Sequence, residues 1–554
     1  MALLRVILLI FFCSWLSWVV WGGKYLTPFF LEKIITRSYN SPGGVDTFFH
    51  MSMAQMIKTY NFPSTGLDEL PYIPYHYGSH FIFAQISKLL NISVIDIYHF
   101  GFPVIFLPLF FHICFIVLHQ FKNLNGQTAH FDYFFWILIF VVFIGFFRIH
   151  REGLAFQTTL SCSSLLVSES YLVSMIFFII SLSILVVPIL KEGDFKLSKV
   201  NLFLLIYLMI LIGFSKISTL FILDVILFYL FIRYRLYRSI FSFFLLIGSF
   251  VTSITVFYFL YDPLAPSGSY EFLSYYKNFV NAGFFQFIIL SFLWTFVLVG
   301  MWIFLRLSKI KINSILIELQ IVIAVFGFLP GAFLKIAGGS AVYFSDIQHW
   351  TALLFIPFYY NHVVQSVNAK TFKYLRVIAF IGFLFCLNNC VYSFENIVKE
   401  NFAMKSTILG KIFYADYVKT HEVIENRDVF FDKRINTVLE GNVDYRRLKY
   451  LASLDSMPHK EGKILHIQDM ELLSKYLPCY KAPFFISAAA GMALFDGFSL
   501  KRCFYADYGV EYFTSAREFL PGQDVCKLIC NPIFKEVIYI NIAAQSYTVS
   551  SCKN

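Results

Sequence analysis

Two short stretches near the start of the chain carry the groups best suited to chemistry. They read GGVDTFFH (Gly43 to His50) and PYHYGSH (Pro74 to His80), and they place one acid and three histidines within about thirty-five residues. Asp46 and His50 are four apart, as are His76 and His80, so each pair would share a face if its segment were helical. Asp46 has two compatible readings. It can cap a helix opening at Thr47-Phe48-Phe49, and it can take a proton from a hydroxyl or hold a divalent cation such as Mg or Mn. His50 is the second candidate ligand for that cation and otherwise a phosphate contact. His76 and His80 have the H-x-x-x-H spacing of a metal clamp and are also candidate substrate contacts.

Further polar groups lie later in the chain. Glu152 in RIHREG (Arg148 to Gly153) is a second candidate catalytic acid, and Arg151 beside it could grip a phosphate through its planar fork. Glu169 in SES is a weaker acid candidate. Lys216 interrupts two apolar runs, where a charge is costly and faces a cavity or a partner. Asp224, eight residues on, is one possible partner, and pyrophosphate is the alternative. Asp346 and His349 in YFSDIQHW (Tyr343 to Trp350) are candidate substrate or lipid-headgroup contacts.

The elements that must hold these groups are membrane helices. Hydrophobic residues make up 58% of 554 positions and charged residues 14%, against about 25% charged in a soluble domain. Mean hydropathy is +0.68. Lipid offers the backbone no hydrogen-bond partner, so long apolar runs must be helices. About eleven runs approach spanning length. They lie near 2–22, 101–119, 132–149, 171–190, 201–214, 218–232, 238–261, 284–305, 315–334, 349–365 and 374–394. The net charge of +10 comes from Lys and Arg clusters between these runs. That is a topology signal rather than a nucleic-acid footprint, and no nucleic-acid partner is expected. Clusters at Lys191–Lys199, Arg233–Arg238, Arg306–Lys311 and Lys370–Arg376 all fall on one side if the chain crosses twice between the first two. The N-terminus is then cytoplasmic. The loops holding Asp46, Glu152 and Asp346 lie on the outer face, with Lys216 at the outer turn of a helical hairpin.

Beyond about residue 395 the composition changes. KILHI (Lys463 to Ile467) and EVIYI (Glu536 to Ile540) have strand character, MELLSKYL (Met470 to Leu477) has helical character, and AAAGMALFDG (Ala488 to Gly497) suits a loop or short helix stopped by glycine. The expected architecture is an α-helical polytopic membrane protein with about eleven transmembrane helices and a small C-terminal extracytoplasmic α/β domain. The expected domains are a transmembrane module over 1–395, with its outer loop at 24–100, and a soluble domain over 396–554. Five of the ten cysteines lie in that last domain, where an oxidising compartment permits disulfides. Their pairing is not deducible from spacing. Cys526-x-x-x-Cys530 lacks the second pair that a zinc site needs.

An Asp in the first outer loop, about eleven spans and a late soluble domain together resemble the GT-C glycosyltransferases. These membrane enzymes transfer a sugar from a polyprenyl-phosphate carrier. The resemblance covers residues 1 to about 395 as architecture and only a few short stretches as motif, with GGVDTFFH supplying the essential Asp as Asp46. The second outer loop departs from the family's acidic pair by offering Glu152 alone. The resemblance implies inverting transfer at the outer face of the plasma (inner) membrane, to a glycan, lipid or protein acceptor. Asp46 would be the base or an acceptor-positioning carboxylate, and Arg151 and Lys216 would meet the lipid phosphate. The alternatives are a transporter or flippase, or a polymerase, of lipid-linked glycans.

Overall fold

The computed structural model describes residues 7–17, 43–123, 140–142, 168–195, 197–238, 240–260, 284–333, 342–366, short stretches between 377 and 391, 443–469, 472, 482–495 and 524–552. These are mostly helical, with one small sheet. The helices used below are α1 (Gly43–Tyr60), α2 (Gly78–Leu90), α3 (Glu169–Glu192), α4 (Lys199–Ser215), α5 (Ile217–Arg233), α6 (Ile315–Phe333), α7 (Ile347–Ser366) and α8 (Ala482–Ala490). The strands are β1 (Lys463–Ile467), β2 (Ala493–Leu494), β3 (Glu536–Asn541) and β4 (Ser546–Ser551).

The chain forms two compact units. One joins Met1–Gly22 to Val104–Asn396, and the other joins Gly23–Pro103 to Ile397–Asn554. The sequence reading grouped 24–100 with the membrane helices. The contacts group it with the C-terminal residues.

In the first unit, three of the described helices are long and apolar enough to cross a membrane: Val104–Phe121, Glu169–Glu192 and Ile315–Phe333. Shorter apolar helices run over Ile7–Ser17, Lys199–Ser215, Leu246–Leu260 and Phe292–Leu307. Local chemistry sets the ends. Ser168 caps α3 by accepting from the Tyr171 amide at 3.3 Å, and Gly193 closes it in the left-handed conformation. Ser198 caps α4 in the same way through Asn201. A single extended residue, Lys216, separates α4 from α5. Its amide still bonds the Ile212 carbonyl at 2.6 Å, and its own carbonyl accepts from Thr219.

A buried amide network fixes where α7 begins. Gln320 of α6 donates to Thr295 at 2.8 Å and to the Gln348 carbonyl at 2.9 Å, and it accepts from Thr351 at 2.9 Å. Such a network holds only one arrangement, because each unmade bond would strand a buried polar group. Gly327 lets the short helical turn Val342–Ser345 lie against α6. A Cβ there would come within 2.6 Å of the Phe344 carbonyl oxygen.

In the second unit, the sheet order is β2-β1-β3-β4, parallel except for the β3–β4 hairpin. The strands expected at KILHI and EVIYI form β1 and β3. MELLSKYL lies outside the described residues apart from Leu472. Gly491, at φ +71, ends α8 as expected. The residues just after it pair as β2, which the sequence did not announce.

The N-terminal segment is built into this sheet. Leu494 of β2 donates to the Gly66 carbonyl at 2.6 Å and accepts from the Glu69 amide at 3.0 Å. The Glu69 side chain, 5% exposed, accepts from the amides of Cys530 and Asn531 at 3.0 and 2.7 Å. Tyr60 at the end of α1 donates to the Lys463 carbonyl and accepts from the Ala493 amide, both at 2.9 Å. Met56 and Tyr60 share one core with Ile464, Ala493, Phe534 and Val537. A disulfide joins Cys526 to Cys552.

Candidate active site

Among the described residues, a buried cluster of chemically competent groups stands out in each unit. In the second unit it forms around α1. His50 Nδ1 lies 3.1 Å from His80 Nε2, and His80 Nδ1 lies 2.5 Å from the Tyr98 hydroxyl. Tyr98 in turn donates to the His50 carbonyl at 3.2 Å. His76 stacks on Tyr75 at 3.8 Å between ring centroids, and Tyr75 packs against His50 at 5.7 Å. Phe49 packs edge-on to both Tyr75 and Phe484 of α8.

α1 starts at Gly43, so Asp46 lies in its first turn rather than at its N-cap. Asp46 and His50 are therefore one turn apart on one helix, as their spacing predicts. The conformation of the Asp46 side chain lies outside the described residues. The shared helix face expected of His76 and His80 is not there. α2 begins only at Gly78, which leaves His76 in the preceding segment and gives the two histidines no common face. His80 pairs with His50 instead, across thirty residues of sequence.

In the first unit the cluster gathers at the starts of α3, α5 and α7. The Lys216 ammonium, 6% exposed, sits 3.6 Å above the Tyr343 ring. Tyr343 packs on Tyr171 at 5.4 Å. Ser174 and Thr219 hydroxyls bond at 2.9 Å and tie the first turns of α3 and α5 together. Phe221 of α5 packs on Phe344 at 5.7 Å. Glu169, Asp346 and His349 are all buried here. Burial alone holds the Asp346 carboxyl well above the usual carboxylate range. Among the described residues, the hydroxyls of Tyr171 and Ser218 are buried and lack a hydrogen-bond partner. Helix starts present positive dipole ends and unsatisfied amides. A buried cation among such starts, with spare hydroxyl donors, is equipped to receive an anion such as phosphate.

The partner suggested for Lys216 is corrected here. The Asp224 carboxylate accepts from Ser249 at 3.0 Å and Ser253 at 2.5 Å, while Lys216 turns to the aromatic face of Tyr343. Arg151 and Glu152 lie outside the described residues. The sequence overlooked Tyr98, Tyr171, Tyr343 and Ser218. The chain has 34 Tyr residues, so only position separates these from the rest.

Among the described residues, no group of three or more His, Cys, Asp or Glu side chains is arranged to hold a metal ion. His50 directs Nδ1 to His80. Cys526 is taken up by its disulfide rather than by a pairing with Cys530. Comparison with known protein families, curated proteins and solved structures finds no match to this chain.

Proposed function

We propose that the protein is a polytopic membrane glycosyltransferase that moves a sugar from a polyprenyl-phosphate donor to a glycan, lipid or protein acceptor. The observation that carries this reading is the Lys216 cluster. A buried ammonium, two buried hydroxyls that lack a hydrogen-bond partner among the described residues, and the Asp346 carboxyl, which burial holds above the usual carboxylate range, gather at the starts of α3, α5 and α7 inside a bundle of apolar helices. A lysine buried among apolar helices is costly and faces a partner or a polar cavity. A site that binds the phosphate end of a lipid needs one.

In this reading the chain crosses the membrane about eleven times, with its N-terminus cytoplasmic and residues 23–103 and 397–554 outside. The Cys526–Cys552 bond supports the outer placement, since structural disulfides belong to oxidising compartments. Lys216 and the surrounding donors neutralise the phosphate as the glycosidic C–O bond breaks and its electron pair passes to the phosphate oxygen. The acceptor hydroxyl oxygen bonds the anomeric carbon, and the role of its base or positioning carboxylate falls, by the resemblance, to Asp46.

The test is transfer by the purified full-length protein in vesicles, supplied with polyprenyl-phosphate sugar and acceptor glycolipid. Parent protein should transfer, and Asp46→Asn should lose about a hundredfold or more in rate, the scale of a general-base contribution. Equal transfer by the two proteins would overturn the assignment of Asp46.

A further inference from the structure

The two edges of the sheet in the second unit are finished differently. At β2 the backbone edge is occupied, since Leu494 donates to the Gly66 carbonyl at 2.6 Å and accepts from the Glu69 amide at 3.0 Å. At β4, among the described residues, no segment pairs with the outer edge. An open edge carries a row of unpaired amides and carbonyls, which is a template for another strand. Proteins that stay apart blunt such edges with charges, proline, bulges or very short strands. β4 uses none of these. It runs over Ser546–Ser551 in unbroken register with Glu536–Asn541 of β3. No charged residue and no proline occurs from Asn541 to Cys552.

The side chains of this edge are open as well. Every residue of β4 is exposed. Tyr547 and Val549 lie opposite Ile540 and Ile538 of β3, and cross-strand partners share a face. Ile538 and Ile540 are fully buried, whereas Tyr547 is 47% and Val549 48% exposed. The apolar layer of the sheet therefore runs out past its own cover. On the other face, Ser546, Thr548 and Ser550 form a row of hydroxyls. This strand is complementary to itself. Two copies meeting edge to edge about a two-fold axis pair antiparallel, and opposite residues must share a face, so the axis falls on a residue. With the axis on Thr548, Tyr547 of each copy faces Val549 of the other, Thr548 faces Thr548, and Ser546 faces Ser550. Aromatic against β-branched and hydroxyl against hydroxyl are favourable cross-strand pairs. An axis on Val549 sets Tyr547 against Ser551, and an axis on Tyr547 sets Val549 against Gln545. Because the strand carries no charge, no like charges meet across the axis.

We propose that β4 is a self-association edge, at which two copies of this chain pair β4 to β4, antiparallel, about a two-fold axis at Thr548. The two sheets then become one continuous sheet. Both of its remaining edges are β2 strands, each already closed by a Gly66–Glu69 segment. The proposal stands apart from the transferase reading and is tested without it.

Disulfide trapping reads both the pairing and its register. The full-length protein carries Cys530→Ser, which removes the exposed native thiol, together with one cysteine in β4, and is oxidised in lipid vesicles. At the axis, Thr548→Cys meets its own copy at a Cα separation of about 4.5–5.5 Å, inside disulfide range. Tyr547→Cys alone is offset from its copy by two residues, about 8 Å between Cα atoms, which is beyond that range. The same holds for Val549→Cys alone, whereas a mixture of the two variants restores a facing pair. Covalent dimer from Thr548→Cys and from the mixture, with little from either single variant, is the expected result. Equal dimer at all three positions would mean random collision. No dimer from Thr548→Cys would mean that the edge takes a different occupant or none. Either result overturns the proposal. Adding Thr548→Lys to both members of the mixture sets like charges directly opposite and should remove the dimer band, and a band that persists overturns the register. All these positions are exposed, so the substitutions leave the core of the sheet in place.

Discussion

Replacing Lys216 by methionine should move stability and function in opposite directions. The substitution keeps an unbranched chain of similar length and removes the charge. Lost with it is the contact to the Tyr343 ring at 3.6 Å, worth about 2 kcal/mol for a desolvated cation–π pair. Regained is the cost of holding an ammonium away from water at 6% exposure, which is several kcal/mol per buried ion. The second effect is at least as large as the first. The variant should therefore unfold no earlier than the parent in a thermal melt in detergent, and Met should pack on the Tyr343 face. If Lys216 meets a lipid phosphate, the same change removes a charge-assisted hydrogen bond of about 1.5–3 kcal/mol. That converts to roughly a 10- to 150-fold loss in kcat/KM for the polyprenyl-phosphate donor. A variant that melts earlier but transfers at the parental rate would refute the reasoning, because Lys216 would then be a structural group.

Three other outcomes follow from buried groups. The folded-state pKa of Asp346 is raised, so the folded chain holds its proton over a range where the unfolded chain has released it. Stability should thus fall as pH rises from the ordinary carboxylate value toward the raised one, by about 1.4 kcal/mol per unit. Asp346→Asn should flatten that slope in melts taken across pH, and an unchanged slope would assign it to another group. Glu69→Ala should cost about 3 kcal/mol or more, since it strands the amides of Cys530 and Asn531 at once, whereas Glu69→Gln keeps one acceptor and should cost about half as much; protease sensitivity of the full-length protein at graded temperature reads the order. Reduction of Cys526–Cys552 releases a 26-residue separation, worth about 3–4 kcal/mol of chain entropy, and should lower the melting temperature of the parent but not of Cys526→Ser.

The sequence was most informative wherever a signal is local. Helix α3 is a run of apolar residues between a capping Ser168 and a terminating Gly193, and each of these acts within one turn of the backbone it caps. β1 and β3 are short β-branched runs, readable because a central parallel strand is buried on both faces. Asp46 and His50 needed only the helical repeat. β2 was not legible, because two residues become a strand only through β1 and the Gly66–Glu69 segment beside them. Lys216 stood out as a misplaced charge, yet its partner could not be guessed. Asp224 lay near in sequence, but the two serines at 249 and 253 hold it.

Composition by itself determined that the chain is a helical protein of apolar spans. That outcome follows from the backbone's need for internal hydrogen bonds, which no distant contact can alter. Only the tertiary structure decided that residues 23–103 fold with 397–554, because Glu69, Tyr60 and Leu494 bond across some four hundred positions and no local pattern encodes a partner that far away. The same is true of the histidines. His76 and His80 share the better spacing, but His50 and His80 share the hydrogen bond, and it is the fold that put them 3.1 Å apart.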